Sequence, residues 1–299
     1  MTWKFALAVL VFVLAGGPVA ALAQQPAPPA PAQAEAKTAG YNITYCAGFI
    51  SENPLNEGLR VTAGEESGAR TQFVPGDIVY LNVGAGWIVN PGGEYMVLRP
   101  VQDLVRQEMY PRQYRRLLEL GIMYQEIGRL RVNIVHQGSA TATVLHTCEA
   151  ISVGDICIPF NTKQEPAIQT GRRLDPFAPP SGKTSGTIVA GKGFVVLFSQ
   201  RDVVFLDIGS KQGVALGQYY RVYRPFDRPN DVFQKTSTQY KTHILTERVN
   251  LPLTPQQQKE LPRDILGELV IIHVEGKSAT GLITTIKRPM VVGDYVELQ

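Results

Sequence analysis

Asp202-Val203-Val204-Phe205-Leu206-Asp207-Ile208-Gly209 is a β-branched and aromatic run that closes on glycine, and Asp77-Ile78-Val79-Tyr80-Leu81-Asn82-Val83-Gly84 is the same run 125 residues earlier. At that offset Tyr95-Met96-Val97-Leu98-Arg99-Pro100 recurs as Tyr220-Arg221-Val222-Tyr223-Arg224-Pro225. Beyond it the offset becomes 139: Ile127-Gly128-Arg129-Leu130 matches Leu266-Gly267-Glu268-Leu269, Ser139-Ala140-Thr141 matches Ser278-Ala279-Thr280, and Val153-Gly154-Asp155 matches Val292-Gly293-Asp294. The second copy therefore carries 14 extra residues after its Arg-Pro pair. Two copies of about 115 residues describe tandem domains, because solenoid repeats run to roughly 20 to 50 residues.

Each copy reads as all-β. In the second, Thr187–Ala190, Phe194–Phe198, Val203–Ile208, Tyr219–Tyr223, Gly267–Val274, Ser278–Thr284 and Gly293–Leu298 are short apolar runs parted by Gly, Pro and polar breaks, the pattern of strands and turns. Gly209, Gly213 and Gly217 frame a compact turn in which glycine supplies positive φ. Helix signals occur only in the long connection: Pro111 to Gly121 in copy one and Thr254-Pro255 to Leu261-Pro262 in copy two, with Pro at the start and Gly or Pro past the end. Six or seven short strands with one helix predict a small β-barrel with the helix plugging an end, since closure removes the free edges of a secreted sheet. A two-sheet sandwich is the alternative.

The amino terminus places Lys4 before an apolar run from Phe5 to Ala15, then Gly16-Gly17-Pro18 and Ala21-Leu22-Ala23. This reads as a secretory signal, residues 1–23, cleaved between Ala23 and Gln24; eleven apolar residues are too few for a membrane span, which takes roughly 20. No stable membrane insertion is expected after cleavage. Residues 24–40 are mostly Gln, Pro and Ala, an extended tether. Copy one then spans 41–160, a Pro-rich linker 161–183, and copy two 184–299. Cleavage removes Lys4 and leaves 28 basic against 26 acidic residues, which argues against nucleic acid as a partner. Arg112, Arg115 and Arg116 cluster with Arg106 and read as a solvated helix face.

The three cysteines, Cys46, Cys148 and Cys157, all lie in copy one, and an exported chain is expected to pair two of them. Laying Gly48 on Gly186 puts Cys46 opposite Thr184; Gly154-Asp155 on Gly293-Asp294 puts Cys148 opposite Lys287 and Cys157 opposite Val296. The expectation is a Cys46–Cys148 bridge from the first strand to the end of the penultimate one, with Cys157 free and buried. The short Cys148–Cys157 loop is the alternative.

Chemical motifs are weak. Ser181-Gly182-Lys183-Thr184 has Phe177 where a phosphate loop needs glycine. His136, His146, His243 and His273 have no metal-ligand spacing, there is no Cys-x-x-Cys and no Gly-x-Ser-x-Gly. Asn42-Ile43-Thr44 is a glycan sequon that is normally inert behind a bacterial-type Ala/Pro leader. The reading is of no catalytic residues, no cofactor and no metal.

The run Val203 to Gly217 with Gly267-Glu268-Leu269-Val270, Ser278-Ala279-Thr280 and Val292-Gly293-Asp294-Tyr295-Val296 resembles the carboxy-terminal domain of the flagellar assembly protein T family, over residues 184–299. Copy one resembles it less, because Gly84-Ala85-Gly86 through Gly92-Gly93 departs from the turn pattern. The same turn is similar to the β-barrel head of the rod-shape-determining protein C family. Both resemblances imply a bacterial envelope protein. The expectation is a non-enzymatic periplasmic module that contacts envelope proteins, through strand edges or Tyr219, Tyr220 and Tyr223; the alternative is a cell-wall glycan-binding module using aromatics such as Trp87.

Overall fold

The computed structural model describes residues 36–66, 69–83, 89–101, 104, 111–169, 173–225 and 254–299. The expected signal with its Ala23/Gln24 cleavage, most of the tether, Trp87 and Arg106 lie outside them. In chain order the elements are β1 (Ala36–Thr38), α1 (Tyr41–Tyr45), β2 (Phe49–Ser51), β3 (Val61–Gly64), β4 (Gln72–Phe73), β5 (Ile78–Asn82), β6 (Glu94–Pro100), α2 (Pro111–Leu120), β7 (Ile122–Val135), β8 (Ser139–Thr147), β9 (Ile151–Ser152) and β10 (Ile156–Pro159). They continue with β11 (Ala167–Gln169), β12 (Ser185–Gly191), β13 (Leu197–Phe198), β14 (Val203–Leu206), β15 (Tyr219–Arg224), α3 (Pro255–Glu260), β16 (Asp264–Val274), β17 (Ala279–Ile286), β18 (Met290–Val291) and β19 (Tyr295–Leu298).

The all-β expectation holds. Copy two is a closed six-stranded barrel in the order β12-β14-β17-β16-β15-β19. Copy one runs β3-β5-β8-β7-β6-β10, the same order strand for strand, and its ends meet at an Arg60–Ile156 bridge. There Val61 N–H donates to Asp155 O (2.9 Å) and Cys157 N–H to Leu59 O (2.8 Å). Even the bulges are duplicated: the slip between Val61 and Ala63 reappears between Ile188 and Ala190, and those at Val97/Leu98, Arg129/Leu130 and Val132/Ile134 reappear at Val222/Tyr223, Glu268/Leu269 and Ile271/His273. A bulge sharpens strand twist, so its repetition fixes the same curvature in both barrels. Each barrel fills with its own apolar residues, Leu59, Val79, Leu81, Val97, Leu130 and Val132 in the first and Ile188, Val204, Leu206, Val222, Leu269 and Ile271 in the second.

The repeated Arg-Pro and Gly-Asp motifs meet in space. Arg99 Nε and Nη2 donate to the two oxygens of Asp155 (2.7 and 2.8 Å), and Arg224 does the same to Asp294 (2.8 and 2.8 Å). The second carboxylate oxygen also caps a turn, accepting from Ser152 N–H and Val291 N–H respectively, each at 2.8 Å. This bidentate clamp ties β6 to the turn before β10, and β15 to the turn before β19. Donating to the carboxylate raises the pKa of both arginines.

Several expectations change. Val61 faces Leu81 as Ile188 faces Leu206, so β12 corresponds to β3 at an offset of 127 and the residue equivalent to Gly186 is Leu59, not Gly48. Cys46 therefore precedes the barrel's first strand, in the turn between α1 and β2. The helix α2 does not plug its own barrel: Leu117 and Leu120 pack with Ile50 and Met123 against Val189, Ala190 and Phe205 of the second. The expected strand at Phe194–Phe198 shrinks to β13, because Lys192–Phe194 form a 3-10 turn. Of the three turn glycines, Gly213 (φ 80°) and Gly217 (φ 79°) take positive φ, but Gly209 is extended (φ −144°). Its missing side chain has a different cause, since a Cβ there would collide with the backbone of Glu275, Gly276 and Ser278.

Tether and linker are also partly structured. Ala36–Thr38 pairs antiparallel with Ala167–Gln169, and Tyr219 Oη, which accepts from Gln169 N–H (2.6 Å), holds that ribbon to the second barrel. Lys163 reaches the buried Glu126 and donates to Thr44 O (3.2 Å), while Arg263 donates to Pro179 O (2.7 Å). No helix among the described residues is long and apolar enough to cross a membrane.

Candidate functional site

The segment from Cys46 to Glu52 lies between the barrels. Its strand β2 pairs along one edge with the start of β7. Along the other, Thr280 Oγ1 donates to Gly48 O (3.0 Å) and Ser278 Oγ to Ile50 O (2.6 Å), both buried. These hydroxyls belong to the repeated Ser-Ala-Thr motif. In copy one the equivalent Thr141 hydroxyl meets, among the described residues, His136 Nε2 on an exposed hairpin (2.9 Å). Ala47 completes the seam against Val203, Tyr219, Val270, Ile272 and Leu282, and Phe49 stacks on His273 (4.9 Å between centroids).

Ion pairs flank this seam. Glu52 accepts from Lys211 (2.6 Å) and Lys277 (2.9 Å), and those hydrogen bonds lower its pKa. Arg116 turns onto Thr187 Oγ1 (2.6 Å) and Asp207 (3.6 Å), so one member of the arginine cluster is an inter-barrel contact; Arg112 and Arg115 stay exposed.

The bridge is Cys46–Cys148, closing 102 residues; it anchors α1 and β2 to the end of β8. Cys157 is free and fully buried, and burial drives its thiol pKa far up. It faces Val97 as Val296 faces Val222, the position expected from the repeat. A ring nitrogen of His146 lies within 4.8 Å of both bridge sulfurs, but two sulfurs bonded to each other are not thiolate ligands.

Next to the bridge, Asn42, Ile43, Cys46 and Glu149 of the first copy face Lys192, Gly193, Val195, Phe198, Arg201, Asp202 and Val203 of the second across a cleft of about 370 Å³. Its size suits a bound side chain or short segment, since ligand sites begin near 300 Å³. Sequence reasoning missed this cleft, because its walls are brought together by β2, a segment outside the repeat. The tyrosines expected as contacts are placed otherwise: Tyr220 is fully buried, Tyr219 lies under the β1–β11 ribbon, and Tyr223 stacks with Tyr295 and Arg263. His136 and His273 sit at separate places, and Lys183 of the phosphate-loop-like run bonds Gln299 O (2.8 Å).

No protein-family model matches the chain, and no curated protein matches it in sequence.

Proposed function

We propose that this is an exported, non-catalytic protein of the bacterial cell envelope whose joined barrels form a protein-interaction or assembly module in the periplasm. The observation that carries this reading is the seam: a disulfide-anchored strand converts two small barrels into one body with a cleft at their junction. A binding surface assembled from both copies is what duplication provides and a single barrel lacks. The signal-like amino terminus and the disulfide support export, because such bridges persist in oxidising compartments. The likeness of 184–299 to the flagellar assembly protein T carboxy-terminal domain supports an envelope-assembly role.

In-cell crosslinking of the tagged protein in its native host, with mass spectrometry of what is captured, tests the reading. Recovery of a defined set of envelope proteins is the expected result. Recovery of wall material alone, with binding to purified sacculi, replaces it with a glycan-binding module.

A further inference from the structure

The charges of the cleft are unevenly employed. Glu149 reaches Arg99 Nη1 (3.8 Å), and Asp202 Oδ2 accepts from Ser199 N–H (2.6 Å). That second contact is a turn of the fold, repeated in copy one by Asp77 and Val74 N–H (2.7 Å). Lys192 and Arg201 line the same cleft, are exposed, and meet no carboxylate among the described residues.

The first barrel serves as an internal control. Arg201 has φ 75° and its N–H donates to Ile283 O (2.9 Å); its twin is Gly76, φ 94°, whose N–H donates to Val144 O (2.9 Å). The turn is identical and glycine makes it without strain, whereas a side chain at positive φ is disfavoured. Lys192 likewise corresponds to Glu65, at the 127-residue offset that also pairs Glu66 (φ 58°) with Gly193 (φ 67°). So the second copy carries two cations at its rim where the first has an acid and a glycine, one of them at a conformational cost the turn does not require. Around them Ile43, Val195, Phe198 and Val203 supply apolar wall, and exposed Val195 and Leu197 extend it along β13.

We infer that the cleft binds an acidic segment of a partner polypeptide, with carboxylates on Lys192 and Arg201 and a neighbouring apolar side chain against Ile43, Val195 and Val203. The inference rests on the interaction-module reading. Its volume equals roughly a dozen waters, room for the side chains of a short segment rather than a folded domain.

The test is fluorescence anisotropy on the purified, disulfide-bonded protein with labelled short peptides of alternating Glu and Leu, Gln and Leu, or Lys and Leu. The Glu/Leu peptide should bind roughly tenfold more tightly than Gln/Leu, as two partly exposed ion pairs allow, and the advantage should shrink with salt. The K192E/R201E variant should reverse the order in favour of Lys/Leu. Arg201→Gly should melt at a higher temperature and yet bind Glu/Leu more weakly, a combination that a purely structural arginine does not give. Equal binding of Glu/Leu and Gln/Leu, or unchanged Glu/Leu binding by K192E/R201E, overturns the inference. In cells, the same envelope partners crosslinked at equal yield to wild type and K192E/R201E reject the cleft alone; no partner for either rejects the interaction-module reading.

Discussion

The Ser-Ala-Thr motif allows the seam between the barrels to be weighed with a control inside the same molecule. Replacing Ser278 by Ala and Thr280 by Val removes two buried hydroxyl donors from Ile50 O and Gly48 O, with Thr→Val keeping the side-chain shape. A hydrogen bond contributes about 0.5–1.5 kcal/mol net, and a carbonyl left buried without a donor costs about 1–3 kcal/mol. Among the described residues the second edge of β2 has no strand neighbour to replace them, so the two losses together are expected to cost about 2–4 kcal/mol. Ser139→Ala with Thr141→Val changes the same motif where Thr141 meets an exposed hairpin histidine, and is expected to stay within about 0.5 kcal/mol. Urea unfolding followed by tyrosine fluorescence and by circular dichroism reads both variants. The seam variant should unfold at lower urea, with the two probes separating as the barrels uncouple. Equal effects of the two double substitutions would refute the reasoning.

The twin clamps should behave alike: Asp155→Ala and Asp294→Ala each remove a bidentate arginine contact and a turn cap. Each should cost about 2–3 kcal/mol, less than a fully buried pair because the arginines reach solvent; a loss under about 1 kcal/mol at either site in thermal melts would contradict the assignment. Glu297 gives a pH dependence. Burial pushes its carboxyl up, but the hydrogen bond and charge of Arg263, with Ser181 N–H and Arg221, hold it below the usual value of 4.5. A carboxyl depressed in the folded state adds stability that is complete above the unfolded value and lost as pH falls through the folded one. Melting temperature should therefore fall on acidification below about pH 4.5, and Glu297→Gln should flatten that fall; an unchanged slope argues against it. Cys157 should resist iodoacetamide in the native protein and react after unfolding, because the thiolate is the reactive form and burial suppresses it. Native labelling at a rate near that of free cysteine contradicts the buried assignment.

Much of the barrel was legible because strands leave local signals: β-branched runs, turn glycines and a repeat whose offsets, 125 and 139, place five of the six strands of each barrel. The sixth, β3, was missed as twin of β12, since Val61-Thr62-Ala63-Gly64 shares little with Ile188-Val189-Ala190-Gly191 beyond the final Ala-Gly and an apolar start. Its identity comes from register across β5, a long-range property. The Cys46–Cys148 pairing rests on the repeat in one half only: Cys157 takes the buried place of Val296, as the 139 offset predicts, whereas Cys46 lies ahead of β3 rather than opposite Thr184. The cleft was out of reach, because it depends on where α1 and β2, which have no copy, come to lie. Gly209 shows how one residue type hides two causes, since positive φ and close backbone approach select the same glycine.

The odd cysteine sets a race. Cys148 and Cys157 are nine residues apart in the chain, Cys46 and Cys148 are 102. In an unfolded chain the short loop closes more readily, by about 2 kcal/mol of loop entropy, or roughly thirtyfold. What shields Cys157 is the pairing of β10 with β6, which buries it in the barrel. Correct oxidation thus depends on the first barrel zipping shut before its thiols are oxidised, and the ratio of long to short disulfide in chain refolding from the reduced state becomes a clock for barrel closure.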